Sequence, residues 1–250
     1  MIIAHRGYSK LYQENTIRAF DAAIKAGAEG IECDLRLTSD NKVVVNHNNK
    51  LRLNGVSVKI SDTKFSDLLE MRKHAAEELL TLDELFEYIP QKQAEFFLEV
   101  KSSSPLLIDA IIKKTREKKL WSQIHVVGFS FILKNSLSAQ SYYPKLRVDQ
   151  FLRFPRYSFI KRPPKSYGIF LGWLDSIPGS QTFFRALVAR GRLLKLKARF
   201  EKNGFNVMAG VINNDAGLRL FNQAGIKDIV TDRISETINY FKLNGHKKRD

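Results

Sequence analysis

His5, Glu32, Asp34, His47 and Glu99 supply two imidazoles and three carboxylates, each at the end of a short apolar run. Ile2-Ile3-Ala4 leads into His5, Gly30-Ile31 into Glu32-Cys33-Asp34, Val43-Val44-Val45 into Asn46-His47, and Phe96-Phe97-Leu98 into Glu99. Side chains alternate along a strand, so Glu32 and Asp34 leave one face together while Cys33 points to the other. Glu99, arriving from another parallel strand, would complete an all-oxygen set suited to a hard cation, Mg2+ or Ca2+. The chain offers no cysteine cluster and no closely spaced histidine pair for a structural zinc. An ion held this way keeps open positions for water and phosphate. His5 and His47 add what phosphoryl chemistry needs besides: one group to take a proton from the attacking oxygen and one to protonate the leaving oxygen. Arg6 and Lys101 would offset charge on the non-bridging oxygens. Taken singly, an E-x-D pair is commonly a salt-bridged surface pair and a strand-end histidine is commonly structural. Five such residues at four strand ends favour an active site that cleaves a phosphodiester.

Such side chains converge only if several parallel strands open at one end. Apolar runs near 2–5, 29–35, 42–47, 94–100, 124–130, 145–149, 168–173, 205–211 and 227–231 alternate with segments of helical period, which implies parallel strands joined by helical crossovers. A helix is expected from Glu14 to Ala26, with Ile17, Phe20, Ala23 and Ile24 on one face and a stop at Gly27. Thr81-Leu82-Asp83-Glu84 resembles a capping box, and Asn214-Asp215 can start another helix. The 250 residues suit a single domain spanning the whole chain. Two stretches break the alternation. Residues 39–93 hold more than one crossover needs, including a hairpin around Asn54-Gly55. Residues 150–204 hold two Pro/Arg/Lys-rich stretches, a loop at Pro163-Pro164 and a long basic helix.

A hydrophobic fraction of 44% and a charged fraction of 27% argue against disorder, and no run has the length of a membrane span. The amino terminus begins directly with strand-like residues and shows no secretion signal, so a cytoplasmic location is expected, with peripheral attachment to a membrane as an option. Cys33 is the sole cysteine and reads as a small core residue without a disulfide. His125 at a strand start reads as packed or capping, His74 as exposed, and His246 as part of a charged tail. The net charge of +15 is uneven: residues 1–100 carry −3 and residues 101–250 carry +18. Residues 182–203 interleave Phe183, Phe184, Leu187, Val188, Leu194 and Leu196 with Arg185, Arg190, Arg192, Lys195, Lys197 and Arg199. An outer helix with a solvated basic face is the favoured reading, and an amphipathic element on anionic lipid the sharper one. Arg153, Arg156, Lys161, Arg162 and Lys165, among Phe151, Phe154, Tyr157 and Phe159, would extend such a surface. No nucleic-acid module is recognised, so nucleic acid is not an expected partner despite a pI near 9.8.

Ala4-His5-Arg6-Gly7, Glu14-Asn15-Thr16, Ala19-Phe20, Gly27-Ala28, Glu32-Cys33-Asp34, Thr38, Val44-Val45 and His47 together resemble the amino-terminal signature of the glycerophosphodiester phosphodiesterase family. Glu99-Val100-Lys101 resembles its later E-x-K element, and Gly225 through Thr231-Asp232 its closing strand. The likeness is dense up to residue 47 and sparse between 130 and 204. It implies an α/β (β/α)8 TIM barrel with a small insertion after the second barrel strand, which fits residues 39–93. It also implies a divalent cation on Glu32, Asp34 and Glu99, acid/base roles for His5 and His47, and substrate or phosphate contacts from Arg6, Lys101 and Glu14, with Asn15 bracing the first loop. The implied reaction is hydrolysis of a glycerophosphodiester to glycerol 3-phosphate and an alcohol, often with the glycerol 2-hydroxyl as internal nucleophile. Two positions depart from the pattern. Asn48 replaces the usual aspartate and leaves out a charge that would orient His47, and Gly210 stands at or near a substrate-side tryptophan, a gap that Trp173 is a candidate to fill. Two other functions are therefore carried forward: a lysophospholipid-type phosphodiesterase at a membrane surface, and a low-activity barrel that binds phosphodiesters or membranes.

Overall fold

A computed structural model describes the chain except for residues 54, 76–77, 153–161, 174–176, 189 and 245–250. In chain order the elements are β1 (Ile2–His5), α1 (Ile17–Lys25), β2 (Gly30–Leu37), β3 (Val43–Val45), β4 (Lys50–Leu53), β5 (Val56–Lys59), α2 (Phe65–Lys73), β6 (Leu80–Thr81) and α3 (Leu82–Tyr88). There follow β7 (Glu95–Val100), α4 (Pro105–Glu117), β8 (Ile124–Phe129), α5 (Lys134–Ala139), β9 (Arg147–Phe151), β10 (Gly168–Leu171), α6 (Ser180–Leu187) and α7 (Arg190–Lys202). β11 (Asn206–Ala209), α8 (Asp215–Gln223), β12 (Ile229–Thr231) and α9 (Ile234–Leu243) complete the order.

Eight parallel strands close on themselves in the order β1, β2, β7, β8, β9, β10, β11, β12 and back to β1. The fold is the expected (β/α)8 barrel. Side chains at alternate positions either fill the barrel or pack outward under the helices. The barrel's middle is filled by Ile3, Phe97, Val127, Phe170, Met208 and Val230, one from each of six strands. Cys33 lies in the outer layer, with Ile31 and Leu35. No helix among the described residues is long and apolar enough to cross a membrane.

Between β2 and β7 the chain departs from a simple crossover. β3 folds back antiparallel on β2, pairing Leu37 with Val43 and Leu35 with Val45, and β6 pairs in turn with β3. That reversal returns the chain to the mouth two residues before His47. β4 and β5 form the expected antiparallel ribbon, whose Leu51 and Leu53 pack with Val44, Ile60, Leu68 and Leu79.

Caps account for the boundaries. α1 begins at Ile17 rather than Glu14 because Asn15 adopts φ 61 and the Thr16 hydroxyl accepts the Ala19 amide at 3.2 Å. Thr81 and Glu84 form the expected capping box, and Asn214 caps α8. The single long basic helix expected near 182–203 is instead two, because Val188 leaves helical geometry at φ −119 and ψ 71. β9 starts later than expected because the Leu146 amide turns back onto the Tyr143 carbonyl.

The lower end of the barrel is closed by charge. His125 is buried, stacks on Phe97 at 4.2 Å, and sets Nδ1 against Asp149 and Nε2 against Glu95, both at 2.6 Å. Arg147 holds the same Glu95 at 3.1 Å, and the Tyr167 ring meets His125 edge-on. Burial alone would lower the His125 pKa, but the carboxylates of Asp149 and Glu95 outweigh it and raise the group above its ordinary value. A raised folded pKa stabilises fully below the unfolded value and loses that contribution as pH rises through the folded one. His125→Asn should therefore cost about 3–5 kcal/mol near pH 6, and urea denaturation should show the gap to wild type narrowing as pH rises through the raised folded pKa. A gap that stays constant with pH would mean the ring is neutral.

Candidate active site

Strand register assembles the acids. β1 and β2 set His5 beside Glu32, and β2 and β7 set Asp34 beside Glu99. One oxygen from each of Glu32, Asp34 and Glu99 falls within 4.8 Å of the others, and all three residues are buried. The remaining groups sort these carboxylates into unlike states. Asp34 Oδ1 takes Lys101 Nζ at 2.7 Å and His47 Nδ1 at 3.0 Å, while Oδ2 takes Asn15 Nδ2 at 2.9 Å and lies 3.2 Å from Arg6 Nε. Burial opposes ionisation of Asp34, but His47, Lys101 and Arg6 overcome it and hold the carboxyl far below the usual range. Lys101 also reaches Glu99 at 2.6 Å. Burial nevertheless pushes Glu99 up, and Lys101 offsets part of the rise.

Among the described residues no lysine or arginine side chain contacts Glu32. Its Oε2 accepts the Arg6 amide at 3.2 Å and lies 3.9 Å from His5 Nε2, while Oε1 is buried with no hydrogen-bond partner. Burial and the neighbouring Asp34 and Glu99 push its pKa well above the carboxylate range. Three convergent hard oxygens, one of them unsatisfied, suit a divalent cation.

The two histidines flank this set in matching ways. His5 Nδ1 meets Asp232 Oδ1 at 2.8 Å, and Asp232 is fixed by the Asn213 side chain and by its own amide on Asn213 Oδ1 at 2.8 Å. His47 Nδ1 meets Asp34, its Nε2 lies 3.3 Å from Arg6 Nη2, and its carbonyl accepts both Nε and Nη2 of Arg36. With Nδ1 held by a carboxylate in each, Nε2 is the nitrogen turned towards the site, where that of His47 shares Arg6 Nη2 and that of His5 approaches Glu32. Arg6 reaches this place from an unusual backbone: φ is 58 there and 79 at Gly7, where a Cβ would come within 2.8 Å of Ala19. The turn re-aims the guanidinium between Asp34 and Glu14.

The sequence-derived set His5, Arg6, Glu32, Asp34, His47, Glu99 and Lys101 is thus brought together. Glu14 joins it through Arg6, whose Nη1 it accepts at 3.0 Å. Three contributors were not foreseen as such: Asp232, Asn213 and Arg36. Only Asp232 left a signal, as an acid just past a strand end. Two expectations need correction. The charge that holds His47 is Asp34, while Asn48 is exposed, so residue 48 does not leave the ring without a carboxylate. Trp173 does not fill the pocket; it packs in the outer core against Phe184 and Phe221, over Gly217. A Cβ on Gly210 would sit 2.7 Å from Val230 Cβ, and one on Gly172 would sit 2.4 Å from the Gly210 carbonyl, so close backbone packing takes the space a side chain would need.

The profile of the "Glycerophosphoryl diester phosphodiesterase family" matches residues 5–236. The chain belongs to that family. It is accordingly an enzyme whose family hydrolyses glycerophosphodiesters. A "Glycerophosphodiester phosphodiesterase" of Caldanaerobacter subterraneus subsp. tengcongensis is 25% identical across 98% of this chain and 99% of its own. The crystal structure of a glycerophosphodiester phosphodiesterase from Thermotoga maritima superposes with a TM-score of 0.73 at 25% identity, covering 96% of this chain and 97% of its own. A phosphodiesterase from Oleispira antarctica, solved in complex with the product sn-glycerol-3-phosphate, shares the fold at 21% identity, with a TM-score of 0.72 and coverage of 97% and 96%.

The unlike states of the three acids make a direct prediction. Glu32→Gln removes a buried carboxylate that has no cation partner, so metal-free protein should gain about 1–3 kcal/mol of stability. Calorimetry in chelator should show the variant melting above wild type, and added Mg2+ or Ca2+ should raise the melting point of wild type only. A variant that melts lower in chelator would contradict this charge assignment.

Proposed function

We propose that the enzyme is metal-dependent and hydrolyses glycerophosphodiesters to glycerol 3-phosphate and an alcohol. The observation that carries this reading is the three-acid cluster with its bare Glu32 Oε1, flanked by two imidazoles whose Nδ1 atoms are each held by a carboxylate. Glu32, Asp34 and Glu99 would hold Mg2+ or Ca2+, which when bound supplies positive charge to the phosphate and its developing negative charge. Arg6 and Lys101 add fixed positive charge at the same place, and Glu14 keeps Arg6 aimed. One imidazole takes the proton of the attacking hydroxyl and the other delivers a proton to the alcohol oxygen as it leaves. Asp232 and Asp34 keep the rings in the tautomer that exposes Nε2 and stabilise them when protonated.

A small soluble diester is the favoured substrate, since the observations at the mouth concern the phosphate and its flanking proton carriers. For peripheral contact with an anionic membrane the supporting features are Arg185, Arg192, Lys195 and Lys202, exposed on α6 and α7 beside exposed Phe183 and Leu194. The apolar residues Phe184, Leu193, Leu196 and Phe200 of these helices are buried in the core, as an outer helix with a solvated basic face requires. Of the second basic-aromatic stretch, Arg153, Phe154, Arg156, Tyr157, Phe159 and Lys161 lie outside the described residues. A cytoplasmic location is supported by the lone buried thiol of Cys33.

Hydrolysis of glycerophosphocholine, followed by release of glycerol 3-phosphate, should stop in chelator and return with Mg2+ or Ca2+. His5→Ala and His47→Ala should each lower kcat by about 10²–10⁴-fold with little change in melting temperature. Turnover that survives both substitutions would end the acid/base assignment. Faster cleavage of lysophosphatidylcholine than of glycerophosphocholine would move the substrate to the lysolipid class.

A further inference from the structure

At the end of the barrel opposite the mouth, the loops leading into β8, β9, β10 and β11, with part of α5, border an open hollow of about 1200 Å3. Lys119, Lys145, Arg147 and Lys165 line it together with Trp121 and Tyr167, and among the described residues no aspartate or glutamate does. Arg147 is held in place by Glu95 at 3.1 Å and the Ser122 carbonyl at 2.8 Å, with its guanidinium 5.0 Å over the Tyr167 ring. The three lysines take part in no ion pair among the described residues. This surplus is local rather than a property of the whole lower face. An adjoining cavity of about 990 Å3 shares Gly204 and Asn206, and there the four acids Glu29, Glu95, Glu201 and Asp228 outnumber Lys197 and Lys227.

Like charges gathered on a concave wall repel one another and focus their field into the hollow, and an anion entering it relieves that repulsion. Phosphate groups suit such a site because several oxygens can accept from several ammonium and guanidinium donors at once. The volume is of the order that small organic ligands occupy, and the four cations line one hollow. We propose that this cavity binds a small phosphate-bearing polyanion at a site separate from the catalytic mouth.

The test is calorimetric titration of the whole chain with inorganic tripolyphosphate in chelator, where the metal-free carboxylates of the mouth repel anions, at about 0.15 M salt so that diffuse surface attraction is screened. Saturable binding is expected, weakened at least about tenfold in Lys145→Gln/Lys165→Gln and unchanged in Lys195→Gln/Lys202→Gln, whose lysines lie exposed on α7. All four positions lie on the exposed surface, so both double variants should fold. Absence of saturable binding, or an equal loss in the two double variants, would overturn the proposal. Binding confined to anionic vesicles or to an oligonucleotide would overturn it as well, by giving the cations a macromolecular partner.

Discussion

Three carboxylates buried with oxygens no more than 4.8 Å apart constrain everything around them. At that separation two full charges repel by roughly 3–4 kcal/mol for an effective dielectric constant near 20. The chain meets this by dividing the acids. Asp34 gathers Lys101, Arg6, His47 and Asn15 and is held ionised, Glu99 shares Lys101, and Glu32 is left with a bare oxygen. A cluster balanced in this way is poor for stability and good for binding a cation, because the last unmet demand is for positive charge.

Holding such a cluster requires a frame that does not yield. The strand register fixes which acids are neighbours, and the apolar layer of Ile3, Phe97, Val127, Phe170, Met208 and Val230 separates the acidic mouth from the charged lower end. Below that layer, the same ring of Phe97 that fills the barrel stacks on His125, so the charged lower end packs directly against the apolar middle. The costly backbone at Arg6 and Asn15, both at positive φ, persists because each residue is tied at two points. Arg6 donates its amide to Glu32 and its guanidinium to Glu14, while Asn15 bonds both the side chain and the amide of Asp34.

The parts legible in the sequence were those set by short-range rules. Alternation along β2 placed Glu32 and Asp34 inside and Cys33 outside, and Thr81 with Glu84 marked a helix start, since both depend on neighbours two or three residues away. The clamp on His5 depends on Asp232 and Asn213, more than 200 residues distant, and nothing local to either marks that partnership. Arg36 binding the His47 carbonyl is equally silent, because it rests on the reversal between β2 and β3. Trp173 could be placed on neither side of the sheet from sequence, since it lies two residues past the end of β10, where alternation no longer holds. The break between α6 and α7 was hidden because apolar and basic residues keep a helical spacing across Val188.

The two imidazoles look equivalent in sequence and in first contacts, yet they are anchored differently. His5 is anchored at Nδ1 by Asp232, a carboxylate tied to Asn213 and outside the three-acid cluster, and meets the cluster only through Nε2, 3.9 Å from Glu32. His47 is oriented by Asp34, which belongs to the cluster and also carries Lys101 and Arg6. Whatever draws on Asp34 therefore also acts on the hold over His47. The asymmetry ties the anchor of one imidazole to the charge balance of the acids while the anchor of the other stands outside it, a division that follows from which strand supplies each carboxylate.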